Sequence, residues 1–213
     1  MHHKTLPLLL VALLVLLTAC SAEPPDHPYL PWEIEQTEEG SISVFGITLG
    51  QTSLLEIRRL LDQRAELAVF ESPEGERALE AYYGKMMIGP LEARLVAVAE
   101  VEQSLIDGWL ENATQPDPQP SGAWRFALSY EAIEEAQHLP VRSLSYVPTA
   151  RYDRELVTRR FGTPASKQQD ARDTEFWLYP ELGTVISFER DGRNLFQYID
   201  PRQFDQLVES LEK

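Results

Sequence analysis

Apolar residues recur along this chain with two periods, and the changes of period mark its elements. The stretch 6–17 is apolar almost without a break and shows no polar face. It is too short to cross a bilayer core, which takes roughly 20 apolar residues. In Ser41–Gly50, SISVFGITLG, the placing of Ile42, Val44, Ile47 and Leu49 predicts strands broken at Gly46 and Gly50. Ser53 followed by Glu56 forms a capping-box pattern. Leu54, Leu55, Ile57, Leu60 and Leu61 then predict a helix to about Arg64. Strands are predicted at 67–70, 78–83 and 91–101, turned by Ser72-Pro73-Glu74-Gly75 and Gly89-Pro90. A helix over 101–112 puts Leu105, Ile106, Trp109 and Leu110 on one side, weakened by Gly108.

Thr114–Gly122, TQPDPQPSG, is the clearest internal break and reads as a surface loop or linker. Beyond it a strand is predicted over 123–129, a short helix over 131–138 and a strand over 141–147. Asp153 is the expected N-cap of a helix through Arg160, stopped by Gly162 and Pro164. Strands at 175–179, 184–190 and 193–199 follow, with Asp191-Gly192 as a tight turn of the primed kind. Asp200-Pro201 opens a terminal helix whose apolar face is Phe204, Leu207, Val208 and Leu211. Mixed helices and short strands of this sort predict an α+β fold.

The first apolar run follows Lys4, with His2 and His3, and ends in Leu17-Thr18-Ala19-Cys20. A cationic start, a short apolar core and a small-residue end make a signal peptide. The ending resembles the lipobox of bacterial lipoproteins. That resemblance implies a signal peptide over 1–19 and a mature protein that begins at Cys20, acylated and held in membrane lipid. Attachment through two or more acyl signals is stable, whereas one chain gives only marginal binding. Ser21 after the cysteine implies sorting to the outer membrane of a Gram-negative bacterium, on its periplasmic face. Residues 20–40 read as a tether, because Pro24, Pro25, Pro28 and Pro31 favour an extended, semi-rigid spacer. Tyr29, Leu30 and Trp32 interrupt it, and two readings stand: docking on the protein's own body, or a short partner-binding segment.

A second resemblance lies in Phe45-Gly46-Ile47-Thr48-Leu49-Gly50-Gln51-Thr52, which leads straight into an apolar helix. It is similar to the opening of small outer-membrane lipoproteins of the SmpA/BamE kind and of each repeat of the β-lactamase inhibitor protein fold. Arg159-Arg160-Phe161 loosely echoes Arg58-Arg59-Leu60 ahead of a second set of strands. The resemblance implies two related α+β halves, 41–117 and 118–213, each with helices packed on a small antiparallel sheet. It also implies binding to other envelope proteins, and it carries over no functional residues.

Composition narrows the chemistry. With 19 Lys+Arg against 34 Asp+Glu the chain has a formal charge of −15, which disfavours nucleic acid and anionic head groups. The acidic surplus fits solubility or a cationic partner. Cys20 is the only cysteine, so the mature chain has no internal disulfide and no catalytic thiol. About 190 residues remain after cleavage, enough for a core without staples. After the leader the histidines are His27 and His138, without metal-ligand spacing or a Gly-x-Ser-x-Gly elbow. No phosphate loop or dinucleotide fingerprint occurs, and no cofactor is expected. Asp170, Asp173 and Glu175 lack the glycine and ligand count of an EF-hand and read as a solvated loop. Glu134-Glu135 reads as a polar helix face.

Aromatic residues gather in the last strands. By alternation Trp177 and Tyr179 share a face opposite Phe176 and Leu178, and Phe196 and Tyr198 share one on their own strand. One face must meet a helix. The other is either an exposed partner-binding surface, with Trp177 and Tyr179 as its candidate residues, or covered as well. The expected function is a non-catalytic interaction module with an envelope protein as partner. The alternatives are a periplasmic hydrolase or lyase acting on cell-wall or glycan material through carboxylates, or an inhibitor of a periplasmic enzyme.

Overall fold

A computed structural model describes residues 29–211, apart from Asn112 and Thr114. The signal peptide, Cys20, Ser21 and the start of the tether lie outside the described residues.

Three short strands come first, β1 (Ile34–Gln36), β2 (Ile42–Val44) and β3 (Ile47–Thr48), paired as a small antiparallel sheet. Phe45 and Gly46 turn β2 into β3 with φ of 56° and 74°, the two positive values a primed turn requires. Helix α1 (Leu54–Leu61) starts as the sequence predicts, with a reciprocal capping box between Ser53 and Glu56. It stops short of Arg64 because Asp62 takes a left-handed cap, its N–H bonded to the Arg58 carbonyl. Strands β4 (Glu66–Glu71), β5 (Arg77–Ile88) and β6 (Leu91–Ala99) form a meander. Helix α2 (Gln103–Leu110), strands β7 (Asp117–Pro118) and β8 (Trp124–Ala127) and helix α3 (Tyr130–Ala136) follow. The last part runs β9 (Val141–Pro148), α4 (Arg154–Phe161), β10 (Ser166–Gln169), β11 (Glu175–Tyr179), β12 (Thr184–Phe188), β13 (Asn194–Ile199) and α5 (Phe204–Leu211).

The fold is α+β, built on one antiparallel sheet of ten strands in the order β10-β11-β12-β13-β9-β6-β5-β4-β8-β7. This corrects the expectation of a small sheet for each half. Residues 93–99 of β6 pair with 141–148 of β9, so a single sheet runs through both. The loop expected between them contributes β7, which pairs with β8 at the sheet's outer edge.

One side of the sheet carries the main core. In register across it lie Tyr179, Thr184, Tyr198, Leu144, Ala97, Ala81 and Leu67, from β11 through to β4. The adjoining row is Trp177, Ile186, Phe196, Tyr146 and Leu95. Helices α1 to α4 and the small sheet pack into the same cluster through Ile57, Ile106, Trp109, Ala136, Val157, Phe161 and Phe45. Burying each large apolar side chain here contributes about 1.5–3 kcal/mol. Phe196 sits at the centre, with ring centroids of Tyr146, Tyr152 and Phe161 at 5.7, 5.1 and 5.5 Å. Helix α5 lies on the opposite side, over Phe176, Leu178, Val185 and Ile199, through Phe204, Leu207, Val208 and Leu211.

The first described residues are part of this body. Tyr198 donates its hydroxyl to the Pro31 carbonyl at 2.8 Å, and Trp32 lies between Tyr152 and the Arg160 guanidinium. Tyr29 stacks close over Gly46 and Gly89. Tyr29 and Trp32 therefore dock on the protein's own surface.

At Asp191-Gly192 the expected primed turn is absent. Gly192 takes φ of 83° while Asp191 keeps an ordinary backbone, and the Gly192 N–H bonds to the Glu189 carbonyl. That is a turn of the common kind ending in a left-handed glycine. Gly183 is the tightest glycine: its φ is 55° and an added Cβ would stand 2.1 Å from the Ile199 carbonyl oxygen. Gly183→Ala is expected to cost on the order of 3 kcal/mol. A urea midpoint unchanged from wild type would contradict this packing.

Candidate functional site: the open face of the sheet

Trp177 and Tyr179 are 3% and 5% exposed, within the main core. Trp177 packs on Phe188, its ring covered by the Lys167 ammonium, and its indole N–H donates to Glu175. Tyr179 packs on Phe161 and donates its hydroxyl to the Gly162 carbonyl. The aromatic face is thus the covered one, because α4 lies over it, and these two residues offer no exposed surface. Burial pushes the Tyr179 phenol up to about 12.

The uncovered surface is the other side of the central strands. One row there reads Ser143, Val98, Glu80, Ala68 and Ala127 across β9, β6, β5, β4 and β8. The next reads Gln197, Ser145, Val96, Tyr82 and Glu66. Alternation along each strand sends these residues away from the core. Tyr82 is 43% exposed and Met87, further along β5, is 58% exposed. No described helix packs on this stretch, since α5 reaches only the β11–β13 end.

Charges on this face are mostly matched. Arg125 pairs with Glu66 and Asp117, and Lys85 pairs with Glu92 at 2.9 Å. Arg77, at the rim, bonds Glu71 at 2.5 Å and Asp107 at 2.7 Å. Glu80 is the acid left unpaired. It stands half-buried between Val98 and Ala68, with Ala78 and Tyr82 as its same-face neighbours on β5. Among the described residues it has neither a hydrogen-bond donor nor an ion-pair partner. Burial holds its carboxyl above the usual carboxylate range. Beside it opens a cleft of about 690 Å³, lined by Phe70, Ala78, Glu80, Gln103, Ser121 and Arg142.

The other carboxylates singled out by sequence are occupied. Asp170 accepts the backbone N–H groups of Thr174 and Arg172, which hold its carboxyl below the usual range. Asp173 pairs with Arg190 and Glu175 with Arg154. Glu135 accepts the Trp109 indole N–H at 2.9 Å. Among the described residues no group of three or more His, Cys, Asp or Glu side chains is placed to hold a metal ion. No described helix is long and apolar enough to cross a membrane. His138 is exposed just beyond α3.

Comparison with protein-family models, with curated proteins and with solved structures returns no match.

Glu80 was not visible in the sequence as a site. In Ala78–Tyr83 it occupies an ordinary outward position of an alternating strand, and only the pairing of β5 between β4 and β6 surrounds it with Ala68 and Val98. A carboxyl whose pKa is higher folded than unfolded costs stability above that raised value and costs nothing once both states are protonated. Glu80→Gln is therefore expected to melt higher than wild type at pH 7, with the gain shrinking as pH falls and gone by about pH 3. Thermal melts across that range check it, and equal melting points at pH 7 would contradict the desolvation of Glu80.

Proposed function

We propose that this protein is an outer-membrane lipoprotein on the periplasmic side, anchored through acylated Cys20, with Ser21 directing the sorting. It acts as a non-catalytic interaction module in envelope assembly or maintenance and docks an envelope protein on the open face of its sheet. The body is a tandem of two related halves of the SmpA/BamE and β-lactamase inhibitor protein kind, merged edge to edge through β6 and β9. In support of the tandem, α1 and α4 each precede antiparallel strands that pair in sequence order.

The observation that carries this reading is the uncovered centre of the sheet, where Tyr82, Val96, Val98 and Ser145 face outward with no described element of the chain over them. Exposed, partly apolar surface of this kind marks interaction sites. Chemistry by paired carboxylates would need two acids whose environments push them apart or couple them. Glu80 is raised by burial alone, with no second carboxylate acting on it.

Two measurements test this reading. Cys20→Ala should abolish incorporation of radiolabelled palmitate and move the protein from the membrane fraction to the soluble periplasm, and sedimentation of the wild-type protein with inner membranes would contradict the sorting. A photoreactive amino acid at Tyr82 should give a discrete in-cell adduct with one envelope protein, whereas one at Glu155 on α4 should not. Equal adducts from both positions, or none from Tyr82, would overturn the docking face.

A further inference from the structure

We propose that Glu80 is the recognition point of the open face and receives a lysine or arginine side chain of the docked protein partner. The inference rests on the docking reading above and adds the chemistry of the contact.

Its basis is the geometry of the row. The Glu80 carboxylate stands between Val98 and Ala68, with Ala127 beyond, and the open space beside it is a cleft lined by Phe70, Ala78 and Gln103. This cleft of about 690 Å³ gives the basic side chain an approach over Phe70 and Ala78, which suit a methylene stem. Every other acid on the central face, Glu66 and Glu92, is already paired within the chain. Two cations without an ion-pair partner among the described residues face the same way, Arg94 on β6 and Arg142 at the rim of the cleft. Both are exposed and so keep their hydration, and neither forms an ion pair with Glu80.

Docking makes the difference decisive. A partner laid on this face removes the remaining water from Glu80, and an ion in that position is costly unless a hydrogen-bonded counter-charge arrives with it. A basic side chain supplies that counter-charge, while an apolar or acidic surface would leave the carboxylate stranded, so the group selects as well as attracts. The chain's charge of −15 favours the encounter with a basic surface. Burial that raises the free carboxyl acts in the same sense, because a cation at the site restores the ionised form.

The test uses the full lipidated chain with the photoreactive residue at Tyr82, in wild-type, Glu80→Gln and Glu80→Lys backgrounds. Thermal melts show that each variant is folded. Adduct yield is expected to fall about tenfold in Glu80→Gln and further in Glu80→Lys. The Glu80→Lys loss should be rescued when the basic residue of the captured segment nearest the cross-link is changed to glutamate. Adducts of undiminished yield in both variants, or a Glu80→Lys loss that the charge swap fails to rescue, would overturn the role of Glu80 and leave the docking face standing. Absence of any adduct in the wild-type background would overturn the docking face itself.

Discussion

The pairing of β6 with β9 is the constraint on which the rest of the molecule depends. Without it the strands before residue 100 and those after 140 would be two narrow sheets, each with a raw edge at its centre. With it, residues 93–99 and 141–148 close a single surface of ten strands. That surface is wide enough for four helices and the small sheet to share one core. The core rows cross the junction without a break: Leu144 and Tyr146 stand in register with Ala97 and Leu95 on one side and with Tyr198 and Phe196 on the other. Pairing of this range, far apart in sequence, is slow to form and is held by the side chains it brings together.

The same junction decides which side of the sheet is left open. Helices α1 to α4 all pack on the aromatic side, and α5 is too short and too far along the sheet to cover more than β11–β13. The open side is therefore set at the centre by the outward residues of β5, β6 and β9. Glu80 lies there as a local cost to stability that no described residue offsets. Costs of this kind concentrate where a surface is shaped for something other than folding.

Local signals were legible in the sequence. The Ser53 and Glu56 capping box, the Asp153 cap and the Gly162 stop each have a chemistry that works within a few residues, and each stands where it was expected. The alternation that put Trp177 and Tyr179 on one face was also correct. Which face would be covered was not legible, because it depends on where α4 returns. The edge strand β10 escaped because Ser166–Gln169 is polar throughout, as an edge that avoids aggregation is. Strand β1 escaped inside a proline-rich stretch whose composition reads as spacer. The single continuous sheet escaped because strand order is a long-range property. The site was the least legible part, since a glutamate on a strand's outward side looks solvated until its neighbours are known.

The hydrogen bond from Tyr198 to Pro31 has a mechanical consequence. Residues expected to belong to a long tether are fastened to the core, with Trp32 held between Tyr152 and Arg160. On a lipidated Cys20, only the segment to Pro28 then lies between bilayer and body, at most roughly 30 Å when fully extended. The leash is short relative to the body it holds. Under the proposed anchoring, a protein so moored would work on partners at the membrane surface.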